Sequence, residues 1–281
     1  MKLKLIALIP ILFISIGGFA QHAFFQIGGG YSFPTSTTQA GEITIFGTNG
    51  NISNIKNANS EMGGGIPLTV RAGYMINNYV GADIGFNYLI GNKSTQTEAQ
   101  INDQVANITG ETRQARLNPA IIFSTNRDMD LSAYSRLGLV LPLGGVTTMQ
   151  FDIPGIFSNN QASSTHTEEI KGRFGVGFSG TMGAQYRVYD RIYLFTEVEA
   201  IHLALRRQSG KVTSFSINGN DAINQLNLYN LETNYVDELT PTSNNPRTNP
   251  NLNENAPADE LTSTSFFNSV GLNIGIKYRI F

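Results

Sequence analysis

Seven ionisable side chains stand out because their surroundings leave them little water. Arg71, Asp83, Arg116, Arg136, Glu197, Glu199 and Lys277 each sit in a stretch whose alternate positions are apolar. On an extended chain, residues two apart point the same way, so these charges face away from their apolar neighbours. A charge taken out of water without a partner is costly, so the set is expected to pair. A hairpin turning on Asn77 places Asp83 opposite Arg71, and one turning on Asp190 places Gly183 opposite Glu197, with room for a long side chain to reach across. Packed together, such groups plug an enclosed interior; strung along a file of water, they would conduct ions or protons.

Other reactive residues are sparse. The chain has three histidines and no cysteine, which excludes disulfides and thiol chemistry. His22 precedes the first alternating stretch. His166 lies in a Ser/Thr-rich segment beside Glu168 and Glu169, and His202 lies at the end of an apolar strand. Rim catalysis would draw on His202. A metal would draw on His166 with Glu168 and Glu169, which lack a fixed geometry. Neither amounts to a site, so no catalytic residue, cofactor or metal is expected. Gly28 to Gly30 and Gly63 to Gly65 precede no helix and are not phosphate cradles. They are expected to mark bends or space beside large inward groups.

The elements that must carry the seven charges are strands. Alternating stretches cover Phe24–Ser32, Ile66–Met75, Tyr79–Ile90, Thr112–Ser124, Leu131–Leu141, Lys171–Val188, Ile192–Leu205 and Phe266–Phe281. The links alternate. Residues 33–65, 91–111, 143–170 and 206–265 form long polar loops, while Asn77, Asp128 and Asp190 centre tight turns. With those centres apolar meets apolar across each hairpin: Tyr74 with Val80, Val70 with Ile84, Phe123 with Ala133, Tyr186 with Leu194 and Met182 with Val198. Phe25, Tyr74, Phe123, Tyr186 and Tyr278 cluster toward the tight turns; Tyr31, Tyr88, Phe174 and Phe266 cluster toward the long loops. Apolar outer faces bounded by two aromatic belts are the pattern of a barrel in lipid. A soluble β-sandwich has no reason to sort its aromatics in this way.

The fold class is therefore all-β, a membrane-spanning antiparallel up-and-down β-barrel of eight strands, or ten if loop pieces enter the membrane. An eight-stranded lumen is just wide enough to fill with side chains. Pro119 sits in mid-strand without an N–H to give, so a bulge is expected there. Glu42 to Phe46 and Lys211 to Ile217 are expected to extend strands beyond the membrane, Asn224 to Leu231 to form a short helix, and Pro241 to Pro257 to be disordered or extended. Residues 1–20 read as a secretory signal: Lys2 and Lys4, an apolar run from Leu5 to Ile16, and Gly18-Phe19-Ala20 before a cut that leaves Gln21 first. A formal charge of −2 argues against a nucleic-acid partner.

Tyr134-Ser135-Arg136-Leu137-Gly138-Leu139, Glu197-Val198-Glu199 and the stretch Gly271 to Phe281 carry a resemblance to the small eight-stranded outer-membrane barrels, the OmpA/OmpX-like superfamily. It covers nearly all of Phe24 to Phe281 as architecture. The resemblance implies residence in the outer membrane of a Gram-negative-type cell, contact with outer-membrane lipid, and insertion by the barrel-assembly machinery. It also implies that the end formed by Tyr278, Ile280 and Phe281 is read as the assembly signal, although Phe281 stands one step out of phase. No peptidoglycan-binding domain is expected after the barrel. The expected role is structural or interaction-based, for a monomer whose extracellular loops bind a partner outside the cell or in the outer membrane. The alternatives are a narrow channel for ions or small solutes and a lipid- or peptide-modifying enzyme at the rim.

Overall fold

The computed structural model describes residues 22–35, 39–46, 52–59, 62–101, 104–126, 128–157 and 162–280. The signal segment and Phe281 lie outside these. Period-two alternation produces eight long strands: β1 (Ala23–Pro34), β2 (Gly65–Met75), β3 (Val80–Gly91), β4 (Gln104–Ser124), β5 (Leu131–Ile153), β6 (Gly177–Tyr189), β7 (Ile192–His202) and β8 (Ser269–Arg279). Each pairs antiparallel with the next, and β8 pairs with β1, so the sheet closes into a barrel with eight strands rather than ten. Closure leaves no free edge for the backbone, which lipid demands. The β1–β8 ladder runs through eleven pairs, from Phe24 with Arg279 to Pro34 with Ser269, close to the ~9–11 residues that cross a bilayer.

The barrel is inside-out relative to a soluble protein. Leu137 is 63% exposed while Arg136 beside it is 2% exposed, and the same alternation runs along every membrane strand. Among the described residues no helix is long and apolar enough to cross a membrane; here the strands cross it. The tight turns are held by short side chains. Asn77 Oδ1 accepts from the backbone N–H groups of Tyr79 and Val80, both at 2.8 Å.

The ladders differ from the sequence expectation at three places. Tyr74 pairs with Ala82 rather than Val80, and Phe123 with Ser135 rather than Ala133. Each ladder has slipped by two residues, which keeps every side chain on its face and is therefore invisible to periodicity. The third hairpin has the expected register, with Tyr186 against Leu194 and Met182 against Val198. Pro119 causes no bulge: the β4–β5 register is the same at Leu117 with Leu141 and at Ala120 with Gly138, and the ladder skips Asn118 and Pro119 between them.

The long loops are largely sheet. β4 and β5 run on past the membrane, and Ser94–Ile101, Ser164–Gly172 and Ala204–Ile217 pair with them or with one another. Gln39–Phe46 joins Ser94–Ile101 in parallel, and Glu232–Val236 joins Ala258–Leu261 likewise. The eighth expected stretch accordingly begins at Ser269, the sixth at Gly177, and the seventh breaks after His202. Asn218 and Gly219, with φ of 50° and 79°, form the two-residue turn after Ala204–Ile217. A single helical turn, Leu228–Leu231, is capped by Asn227. The segment from Pro241 to Pro257 is folded rather than disordered. Asn244 reaches the carbonyls of Asn253, Ala256 and Pro257, and its backbone N–H donates to Asp259.

Candidate functional site

All eight strands send polar side chains into the lumen. Gln26 comes from β1, Arg71 from β2, Asp83 from β3, Arg116 from β4, Tyr134 and Arg136 from β5, Gln185 from β6, Glu197 and Glu199 from β7, and Lys277 from β8; all are buried. The charges alternate along a chain. Glu199 contacts Arg71 at 3.2 Å, Arg71 contacts Asp83 at 3.2 Å, Asp83 contacts Arg136 at 3.0 Å, and Arg136 contacts Glu197 at 2.6 Å. Alternation lets each buried charge find an opposite one, the condition under which burial is tolerable.

Arg71 does not face Asp83 directly. It faces Gly85, and Asp83 faces Gly73. The guanidinium lies across Gly85, where a Cβ would come within 2.8 Å of it, and reaches Asp83 diagonally. Gly183 does face Glu197, and the side chain that fills its place is Tyr134, whose ring would touch a Cβ there at 2.7 Å. The Tyr134 hydroxyl donates to Glu197 at 2.6 Å, and Gln26 accepts from Arg136 at 2.6 Å. Gln26 and Tyr134 carry no formal charge and so stand outside the seven expected charges, although their alternation phase puts both on the inward face.

Four cations (Arg71, Arg116, Arg136, Lys277) meet three carboxylates (Asp83, Glu197, Glu199) in the lumen. Among the described residues Lys277 makes no ion pair. Its ammonium lies 3.9 Å from the Phe24 ring centroid and 5.9 Å from that of Tyr134, in cation–π range. Arg116 donates to Gln114. Below the plug, the space between His22, Phe24, Met75, Tyr134 and Lys277 is about 10 Å³, room for about one water.

The expected aromatic belts divide. Phe25, Tyr31, Tyr88, Phe123, Phe174, Tyr186 and Tyr278 are exposed on the outer face. Tyr74 and Phe266 are only half exposed, and Tyr74 meets the His22 ring edge-on at 5.9 Å. Tyr278 stands near the end of β8 and Ile280 just beyond it, its N–H bonded to Ala23; Phe281 is outside the described residues. His202 is exposed opposite Phe178. His166 is stacked on Phe151 at 4.0 Å and 10°. Among the described residues, no three His, Asp or Glu side chains converge on a metal position.

Above the membrane, burial pushes the His166 imidazole below its ordinary value. Burial also pushes the Glu168 carboxyl up, opposed by the nearby Arg207. The Tyr235 hydroxyl, buried beside Glu168, is pushed up to about 12.

Over residues 6–235 the chain matches the family model described as outer membrane protein β-barrel domain. Among solved structures it is similar to Ail, the attachment invasion locus protein of Yersinia pestis, with 12% identity, 92% of this chain and 99% of that chain covered, and a TM-score of 0.34. A Pseudomonas aeruginosa FadL homologue is similar with 14% identity, 68% of this chain and 46% of that chain covered, and a TM-score of 0.32. No curated protein matches in sequence.

Proposed function

Because the chain belongs to the outer membrane protein β-barrel domain family, we propose that it is a plugged anchor that displays a rigid binding platform outside the cell. The observation that carries this is the ion-paired chain from Glu199 through Arg71, Asp83 and Arg136 to Glu197, which joins β7, β2, β3 and β5 across the lumen. The continuation of β4 and β5 beyond the membrane supports the platform, because loops carried on a rigid scaffold are where binding concentrates. In this reading residues 1–20 direct export and are removed, the barrel-assembly machinery inserts the chain, and the long loops face outward, as in barrels with short periplasmic turns. The partner is a protein outside the cell or in the same membrane, met by residues 206–265.

Two measurements test it. Reconstituted in planar bilayers, the protein should give no stable conductance steps; steps that Glu197→Gln alters would establish the narrow-channel reading instead. Photo-crosslinking from residues 206–265 in intact cells should recover one discrete protein partner, and lipid adducts alone would refute the platform.

A further inference from the structure

The barrel wall parts between β5 and β6. β5 pairs with β6 from Leu131 with Tyr186 up to Val140 with Gly177, and pairs again with Ser164–Gly172 from Thr147 with Ile170 onward. The register on the two sides of the interruption is the same, yet residues 141–146 and 171–176 share no ladder pair. The sequence explains the parting. Pro142 has no N–H to donate. Leu143 is the extra residue of a bulge, since Ala115 pairs with Gly144 and Arg116 with Pro142. Gly144 follows, and a side chain there would meet nothing within 4 Å.

Behind the gap lies a cavity of about 190 Å³. Its inner wall combines Ile170, Leu205 and Phe267, which belong to a buried apolar cluster with Val140, Leu203 and Tyr235, with the buried polar side chains of Thr112, Gln114 and Thr147. An apolar cluster above an ionic plug is unusual for a membrane barrel, whose interior is ordinarily polar. Outside, Leu143 and Phe174 flank the gap, Phe174 being 73% exposed on the lipid face. The charged residues that line the cavity are Arg173, Arg206 and Arg207, all cationic. Arg173 and Arg206 share the single carboxylate of Asp237, at 3.1 Å and 2.7 Å.

We propose that this seam is a lateral cleft that takes the end of an acyl chain from an anionic lipid of the surrounding leaflet, with its phosphate held at the rim by Arg173, Arg206 and Arg207. The apolar part of the wall supplies the chain's environment, the gap opens toward lipid, and two guanidiniums on one carboxylate leave positive charge for a phosphate. A volume of about 190 Å³ suits a chain terminus rather than a whole lipid. The inference rests on the barrel lying in lipid and is independent of what residues 206–265 bind.

The test uses the full protein in phosphatidylcholine vesicles doped with phosphatidylglycerol that carries a diazirine at its chain end, with adducts mapped by mass spectrometry. Adducts on Leu205 and Phe267 are expected alongside those on the outer belt at Leu137 and Met182. Free phosphate can give no such adduct. Gly172→Leu, which sets a side chain against Leu205 on the cavity wall, should lower the inner adducts about tenfold and spare the belt; Arg206→Gln should remove the preference for phosphatidylglycerol over a phosphatidylcholine probe. Belt adducts without inner adducts in the unmodified protein would overturn the cleft. Absence of both would refute the lipid embedding itself.

Discussion

Tyr134 turns a set of ion pairs into a network. Its hydroxyl donates to the same Glu197 oxygen, Oε2, that takes Arg136, and its ring occupies the space above Gly183. Removing one partner of a buried pair leaves an uncompensated charge, at a cost of about 3–5 kcal/mol. Glu197→Gln is therefore expected to destabilise the barrel by about that much, read as a lower urea midpoint for unfolding from detergent micelles. The Arg136→Gln, Glu197→Gln double variant should lose clearly less than the sum of the two singles, since neither charge is then left alone. Additive losses would show that the pair does not interact. Gly183→Ala sets a Cβ against Tyr134 Cζ at 2.7 Å and the Thr196 carbonyl at 2.8 Å, so it is expected to cost about 1–3 kcal/mol by the same assay.

At the scale of the element, the part of each strand inside the membrane was legible and the part above it was not. Inside, one face must be apolar and the other polar, so period two writes itself into stretches such as Phe174 to Gln185. Above the membrane both faces meet water or one another, and segments such as Ser164–Gly172 carry no alternation, although Ser164 to Ile170 pair with β5 without a break. Register was legible only modulo two, which is why Asp83 was assigned to Arg71 as a direct neighbour and proved to be diagonal. Lys277 is buried, but its ring partners depend on distances across the lumen that no spacing along the chain reveals.

The strand Ser164–Gly172 also carries a pH prediction. His166 is stacked on Phe151 and packs near Phe215, and burial lowers its proton affinity. The unfolded strand then binds more protons than the folded one, so this histidine's contribution is complete above the ordinary imidazole value and is lost as the pH falls below it. Glu168 on the same strand is shifted upward, so its contribution is present at low pH and declines as the pH rises through its folded value. The two oppose each other, and a variant is needed to separate them. Hydrogen exchange at the amides of Thr165 to Thr167 is expected to quicken between pH 7 and pH 5 beyond its intrinsic pH dependence, and His166→Phe should abolish the excess. An unchanged excess in that variant would assign the effect elsewhere.

For the whole molecule the deciding question is which solvent surrounds the sheet. A soluble barrel of the same topology would bury Val198 and Leu272 and expose Glu197 and Asn273; here the first two are exposed and the last two buried. Val198 and Leu272 face each other across β7 and β8, and Leu272 also stands against Tyr31 of β1, so the outer face is continuous over three strands. Apolar surface on that scale is stable only against acyl chains, because water would drive it into self-association. Nitroxides placed singly at Val198 and Leu272 in reconstituted protein should be relaxed more by oxygen, which partitions into lipid, than by a water-soluble nickel complex. A label at Ile217, beside the turn at the far end of Ala204–Ile217, should show the reverse preference. The contrast follows from geometry alone: the first two positions lie on membrane strands with apolar neighbours on both sides, and the third lies beyond the point where the alternation stops. Nickel access equal at all three would mean that water, not lipid, bathes the outer face, and the ionic interior would then have no reason to be closed.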